Sequence, residues 1–292
     1  MFIIDELKFS IANVNFLYQY YPNMSISEDS AIFNFISNIK DMADVKNSIY
    51  ILPSNHLKID VEKNGDLISE TPVWKNYLFD GKAYYLFSPN GESDVALLEV
   101  QDSSFSNMKT YVYKMDFSKQ PLPICVTGLI LQQKLFYNNT GFLMHGATIN
   151  LNNKGIILTG NSGVGKSTLS KLFTTHADCE QITDDRFILS KHENGYLSYG
   201  NPLDFKIERN KNKSIPIKKI FFLSHGDKNS IKQLSYRDAL NKLITISLLP
   251  YWDREKLNIC IKEIESIAHK IECFDFSFFP DESAVDFLVK DI

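Results

Sequence analysis

The chain has 292 residues, a formal charge of -4 and a sequence pI near 5.9, so it carries no global attraction for nucleic acid or for an anionic membrane surface. With 44% hydrophobic and 23% charged residues it has an ordinary globular composition, long enough for one large or two medium domains. No apolar run approaches the roughly 20 residues that span a bilayer, and MFIIDELKFSI lacks the basic start and small-residue cleavage site of a secretory signal.

Residues 1–120 read as a strand-rich N-terminal domain. A helix is predicted near SEDSAIFNFISNIKDM, capped by Ser27 or Asp29. IYIL at 49–52 is a short β-branched strand. HLKIDVEKNGDLISE at 56–70 predicts a hairpin turning at Asn64-Gly65, and KAYYLFSPNGESDVALLEV at 82–100 a second one turning at Pro89-Asn90-Gly91. KTYVYKMDF at 109–117 is a further aromatic strand. The aromatic residues here read as core and cross-strand packing rather than a base-stacking platform.

Pro121 and Pro123 mark a joint, after which residues 121–292 form the second predicted domain. ICVTGLILQQKLFYNNTG reads as a helix, and FLMHGATINLNNKGIILTG as two strands joined at Asn152-Asn153-Lys154-Gly155. A helix is predicted from Lys166 to His176, followed by strands at ITDDRFILS, GYLSYG and IKKIFFLS. Two helices follow, in YRDALNKLITISLL and DREKLNICIKEIESIAHKI, then a strand in CFDFSFF and a closing helix in DESAVDFLVKDI. Leu257, Ile261, Ile264 and Ile267 recur at helical spacing and read as core. Cys125, Cys179, Cys260 and Cys273 are scattered without a CxxC, and the six histidines lack metal-ligand spacing. Reduced, mostly buried thiols and a cytoplasmic setting are expected.

Gly160-Asn161-Ser162-Gly163-Val164-Gly165-Lys166-Ser167 satisfies G-x-x-x-x-G-K-[ST] at every fixed position, with Thr168 next. Glycines allow positive φ and a close backbone approach, and successive N–H groups at a helix N-terminus make an anion nest. Lys166 would meet the β- and γ-phosphates, and Ser167 would bind the accompanying Mg²⁺. GIILTG before the loop and STLSKLF after it supply the strand–loop–helix context. ATP and Mg²⁺ are therefore the expected cofactors. The nearest acidic partner is Asp184-Asp185 in CEQITDDRFIL. On one strand, adjacent aspartates point to opposite faces, one toward the metal and one toward the acceptor group. His145 is expected on the strand paired with the phosphate-loop strand, near the phosphate end.

In order, HGATI, an apolar strand, GNSGVGKST and ITDDRFIL resemble HPr kinase/phosphorylase, which shares its nucleotide-binding core with phosphoenolpyruvate carboxykinase. YGNP, LLPYWD and FDFSFFPDESAVDFL look like a branch associated with peptide-modification clusters and lasso-peptide kinases. The resemblance spans about residues 120–292 and implies an α/β fold: that P-loop core with a strand-rich N-terminal region. It matches Lys166 and Ser167 to nucleotide and metal positions, Asp184 to the acid/base carboxylate, Asp185 to the metal-associated one and His145 to a histidine near the transferred phosphate. The two aspartates can exchange roles. GNPLDF at 200–205 is a poor counterpart of the family's second, glycine-rich signature, and no set of carboxykinase substrate residues is evident.

The expected activity is transfer of the γ-phosphoryl group of ATP to a serine or threonine hydroxyl of a peptide or small protein. Two alternatives stay open: a non-catalytic ATP-binding scaffold in a peptide-modification complex, and a carboxykinase-like lyase. No N/T-K-x-D guanine motif is present, and neither nucleic acid nor membrane is an expected partner. Homo-oligomerisation is left open. Lys206, Arg209, Lys211, Lys213, Lys218 and Lys219 form a basic stretch, read as a solvated connection or as a loop attracting an acidic substrate.

Overall fold

The computed structural model describes residues 2–26, 35–36, 43–51, 56–88, 96–113, 124–203 and 211–290. The predicted helix around 27–42 falls almost wholly outside these, as do the turn at 89–91, Pro121, Pro123, Lys206 and Arg209. The described chain is mixed α/β, with two sheets and six helices, and it groups into two compact units, Met1–Asn138 and Asn139–Ile292. The division lies after the helix Ile124–Tyr137, whereas the prolines had suggested 120/121.

The first unit is an eight-stranded sheet in the order β1-β2-β3-β8-β7-β6-β5-β4: β1 Phe2–Ile11, β2 Val14–Ile26, β3 Val45–Ile51, β4 Asp66–Glu70, β5 Trp74–Phe79, β6 Lys82–Phe87, β7 Ala96–Val100 and β8 Asn107–Val112. β2–β3 and β3–β8 are parallel and the other pairs antiparallel. Both residues of Ala12-Asn13 and of Asp80-Gly81 have positive φ, the pattern that matches the twist of a two-residue hairpin. The expected hairpin at Asn64-Gly65 is corrected. His56–Asn64 is a helix, α1, because Leu57 and Val61 recur at i, i+4 and meet Tyr77, Tyr84 and Leu97 on the sheet. Gly65 N–H donates to Val61 O at 2.9 Å and closes that helix. Asn-Gly is a turn signal for hairpins and for helix ends alike. Helix α2, Ile124–Tyr137, is buried along most of its length, and Tyr18 Oη on β2 donates to Thr127 Oγ1 at 3.0 Å.

The second unit contains β9 Gly141–His145, β10 Ala147–Leu151, β11 Lys154–Thr159, α3 Lys166–His176, β12 Cys179–Thr183, β13 Arg186–His192, β14 Gly195–Tyr199, β15 Ser214–His225, β16 Ser230–Gln233, α4 Tyr236–Ile246, α5 Arg254–Lys270, β17 Glu272–Phe278 and α6 Glu282–Val289. The sheet order is β12-β10-β11-β15-β14-β13-β9, with β17 beside β15 and β16 beside β17. β11, β15 and β17 run parallel, so their C-terminal ends share one edge. Leu169 and Phe173 of α3 pack with Ala284, Val285 and Leu288 of α6 over Ile156, Leu158, Phe221, Phe276 and Phe278. On α5, Ile264 and Ile267 of the stripe read from the sequence are buried, together with Cys260, whereas Leu257 and Ile261 are only half-buried. Cys260 and Cys273 are free and buried, and burial pushes both thiols up to about 12. Among the described residues no helix is long and apolar enough to cross a membrane.

Two readings of this region are corrected. FLMHGATINL is not one strand: it breaks at Gly146 into β9 and β10, and only β10 forms the hairpin with β11, through Asn152-Asn153 at φ 52 and 63. A β-carbon on Gly146 would lie 3.0 Å from Phe187 Cε1 and 3.1 Å from Ile157 Cγ2, so the chain changes partners at a tightly packed position where a larger residue would make its neighbours shift. ITDDRFIL is also two strands, β12 and β13, with Asp184 and Asp185 at the bend between them.

Candidate functional site

The phosphate loop leaves β11 and enters α3 in a conformation that its glycines permit. Gly160, Gly163 and Gly165 have φ of 140, 80 and 93°. A β-carbon on Gly165 would stand 2.9 Å from Phe278 Cζ. Gly165 is the N-cap of α3, and no side chain caps that end. The first-turn N–H groups, with the positive end of the helix dipole, therefore face the loop. Lys166 Nζ donates to Gly160 O at 3.0 Å and Asn161 O at 3.1 Å. Desolvation pulls the Lys166 pKa down, while the charges of Asp185 and Asp184 hold it up.

Asp184 and Asp185 differ sharply. Asp184 is 2% exposed. Its Oδ2 accepts from Ser167 Oγ at 3.2 Å and its Oδ1 from Gln181 Nε2 at 2.9 Å. Gln181 Nε2 also donates to Thr183 O at 3.1 Å, so a buried amide orients the carboxylate. The Asp185 side chain is exposed, with one carboxylate oxygen 3.8 Å from Arg186 Nε.

His145 reaches the same place by a different route from the one expected. It ends β9 opposite Arg186 of β13, and Gly146 N–H donates to Asp185 O at 2.9 Å. Thr159 Oγ1, the last residue of β11, donates to His145 O at 2.7 Å. Desolvation, and next the Arg186 charge, lower the imidazole pKa below its ordinary 6.5, with Asp185 opposing. This environment favours the neutral imidazole.

The fold thus brings together Gly160–Thr168, Asp184, Asp185 and His145. Gln181 and Thr159, which orient Asp184 and the His145 backbone, were missed by the sequence reading. The only sequence signal for Gln181 is that it shares a strand face with Thr183, the residue directly before Asp184. His225 and Phe278 were missed as well: the His225 ring meets Phe278 at 5.9 Å between centroids, and its Nε2 lies 3.4 Å from Gly163 O. In the basic stretch, Lys211 and Lys213 both pair with Glu180 of β12, at 3.0 and 2.8 Å, which favours a solvated connection over a substrate-attracting loop for those two residues. Among the described residues no group of three or more His, Cys, Asp or Glu could hold a metal ion by itself.

A family model described as "SynChlorMet cassette protein ScmC" matches residues 127–258, a little under half of the chain. That span includes His145, the phosphate loop and both aspartates. No curated protein sequence matches the chain. Among solved structures, the chain is similar to the Hpr(Ser) kinase/phosphatase from Coxiella burnetii, at 12% identity over 51% of this chain and 94% of that one. The TM-score is 0.31, and a likeness of that size carries no argument about fold or reaction.

Proposed function

We propose that this chain is an ATP-dependent kinase that phosphorylates a serine or threonine hydroxyl of a peptide or small protein. The observation that carries the reading is the buried Asp184 carboxylate bonded to Ser167 Oγ beside an uncapped, glycine-opened helix N-terminus. ATP and Mg²⁺ fit these residues. The loop offers a nest of N–H groups, and Ser167 with Asp184 offers two hard oxygen ligands on one side of it. Such a pair is too few to form an autonomous metal site, which suits an ion that enters with the nucleotide and keeps several waters. Bound Mg²⁺ would supply positive charge against the phosphate oxygens.

The chain's own groups supply the rest. The loop N–H groups and α3 bind the phosphates, and Lys166 turns from Gly160 O and Asn161 O onto them. Asp184, held by Gln181, sits on the metal side. Asp185 is the exposed carboxylate, so the geometry supports exchanged roles for the pair: Asp185 orients the acceptor hydroxyl and accepts its proton. The acceptor oxygen then bonds to the γ-phosphorus as the bond to the β–γ bridging oxygen breaks, and ADP leaves. His145, kept neutral, offers a hydrogen bond there without adding charge. Positioning and electrostatics provide most of the acceleration, because a loose transition state needs little covalent help.

The matched family is described as a cassette protein, so the first acceptors to try are any small peptides encoded near the gene of this chain. The test is intact-mass analysis of such peptides after incubation with ATP and Mg²⁺, with Lys166→Ala in parallel. A gain of one phosphate, lost in the variant, is expected. ATP that binds without any phosphorylated peptide would instead favour the scaffold.

A further inference from the structure

The two flanks of the phosphate loop are chemically unlike. Across the sheet edge, β12 and β10 lie on one side of β11, and β15 and β17 on the other. β10 is antiparallel to both β11 and β12, which brings the C-terminal end of β12 to the edge where the loop leaves β11. Asp184 and Asp185 follow β12 on that flank, and although β9 itself pairs with β13, His145 joins them there, because β10 starts two residues later and Gly146 N–H donates to Asp185 O. A nucleotide that donates its terminal phosphoryl group must turn that end toward the carboxylates. Its nucleoside must then leave the loop over the opposite flank, across the ends of β15 and β17.

That flank carries aromatic rings. β15 ends at His225, whose Nε2 touches the loop at Gly163 O. His225 pairs with Phe278 in the parallel register, and Phe279 follows, 48% exposed. Strands spaced about 4.8 Å apart put the end of β17 roughly 10 Å from β11, a separation suited to a sugar and base beyond a phosphate chain. Phe279 is held in place from both sides. Its N–H donates to Asn229 Oδ1 at 2.9 Å, Asn229 Nδ2 donates to Ser283 Oγ at 2.8 Å, and Gly226 N–H donates to Phe278 O at 3.1 Å. With the backbone that carries it held by these bonds, the exposed phenyl ring has only its own side-chain torsions to order on stacking.

We propose that His225 and Phe279 form the nucleoside platform of this site, with the base stacked on Phe279 and His225 lining the path from the loop. The inference rests on the nucleotide reading above and goes beyond it by assigning the base side to residues that neither the phosphate motif nor the matched span 127–258 assigns, Phe279 lying outside that span.

The experiment measures dissociation constants of the full chain for ATP and for inorganic triphosphate, with Mg²⁺, in wild type, Phe279→Ala, Phe279→Leu, His225→Ala and Lys166→Ala. Melting temperatures verify that each variant folds. Phe279→Ala and Phe279→Leu are expected to weaken ATP binding roughly 5- to 50-fold, in the range of aromatic–base stacking. Triphosphate affinity should stay within about twofold. The Leu variant separates ring stacking from apolar burial. ATP affinity unchanged in the Phe279 variants, or ATP and triphosphate weakened equally, would overturn the platform while leaving the nucleotide reading intact. Wild type that binds neither ligand, or binding indifferent to Lys166→Ala, would overturn both.

Discussion

Asp184 and Asp185 are chain neighbours with unlike surroundings, and the chemistry divides between them accordingly. Asp184 is buried and committed to Ser167 and Gln181, whereas Asp185 is exposed beside His145. Asp185→Asn is expected to lower kcat by about 10²–10⁴-fold, as for loss of a general base, with ATP affinity within about threefold. Asp184→Asn should instead weaken Mg²⁺-dependent ATP binding. Steady-state kinetics with isothermal titration distinguishes the two, and the opposite pattern would restore the assignment implied by the family resemblance. His145 gives a pH signature. Its pKa lies below 6.5 in the folded state, so the folded state binds fewer protons between that value and 6.5. The stability contribution is thus complete above about pH 6.5 and is lost as the pH falls through the depressed value. The melting temperature of wild type should drop more between pH 7 and 5 than that of His145→Gln, and parallel curves would remove His145 as the cause.

At the scale of elements, strands and helices formed by local pattern agree with the sequence reading, and those set by distant partners do not. α3 begins and ends at the expected Lys166 and His176 because the glycines before it and the Leu169–Phe173 face are local. Asn64-Gly65 misled because one dipeptide ends a helix or turns a hairpin, and the difference lies in Val61 packing on strands further along the chain. Asn152-Asn153 is a hairpin turn that requires positive φ at both positions. Asn153→Val should cost about 1–2 kcal/mol, the strain of a β-branched residue held left-handed, whereas Asn153→Gly should hold or raise stability. Denaturant unfolding measures both, and an unchanged midpoint for the valine variant would mean that the turn relaxes.

At the scale of the molecule, the described chain groups into two compact units, and the proposed nucleotide site lies in the second, Asn139–Ile292. Each unit has its own sheet and core. Calorimetry of the full chain should therefore resolve two transitions, with ATP and Mg²⁺ raising only one. Ligand at 100 times its Kd adds about 2.7 kcal/mol to the unit that binds it. A single transition, shifted as a whole by ATP, would mean that the two units melt together.

By itself, the sequence determined the glycine-rich loop and the helix that follows it. Every group in that motif acts within a few residues of the next, so spacing alone carries its geometry. Asp184-Asp185 is likewise visible as the nearest carboxylate pair, and His145 is marked by the family resemblance. Only the tertiary structure decided how these pieces meet. The pairing of β9 with β13, the bend that separates the aspartates, the Gln181 amide beneath Asp184 and the ring of His225 against Gly163 join residues brought together by folding. Those contacts depend on strand register and burial, which local periodicity does not encode, because a strand reads the same whichever partner it takes.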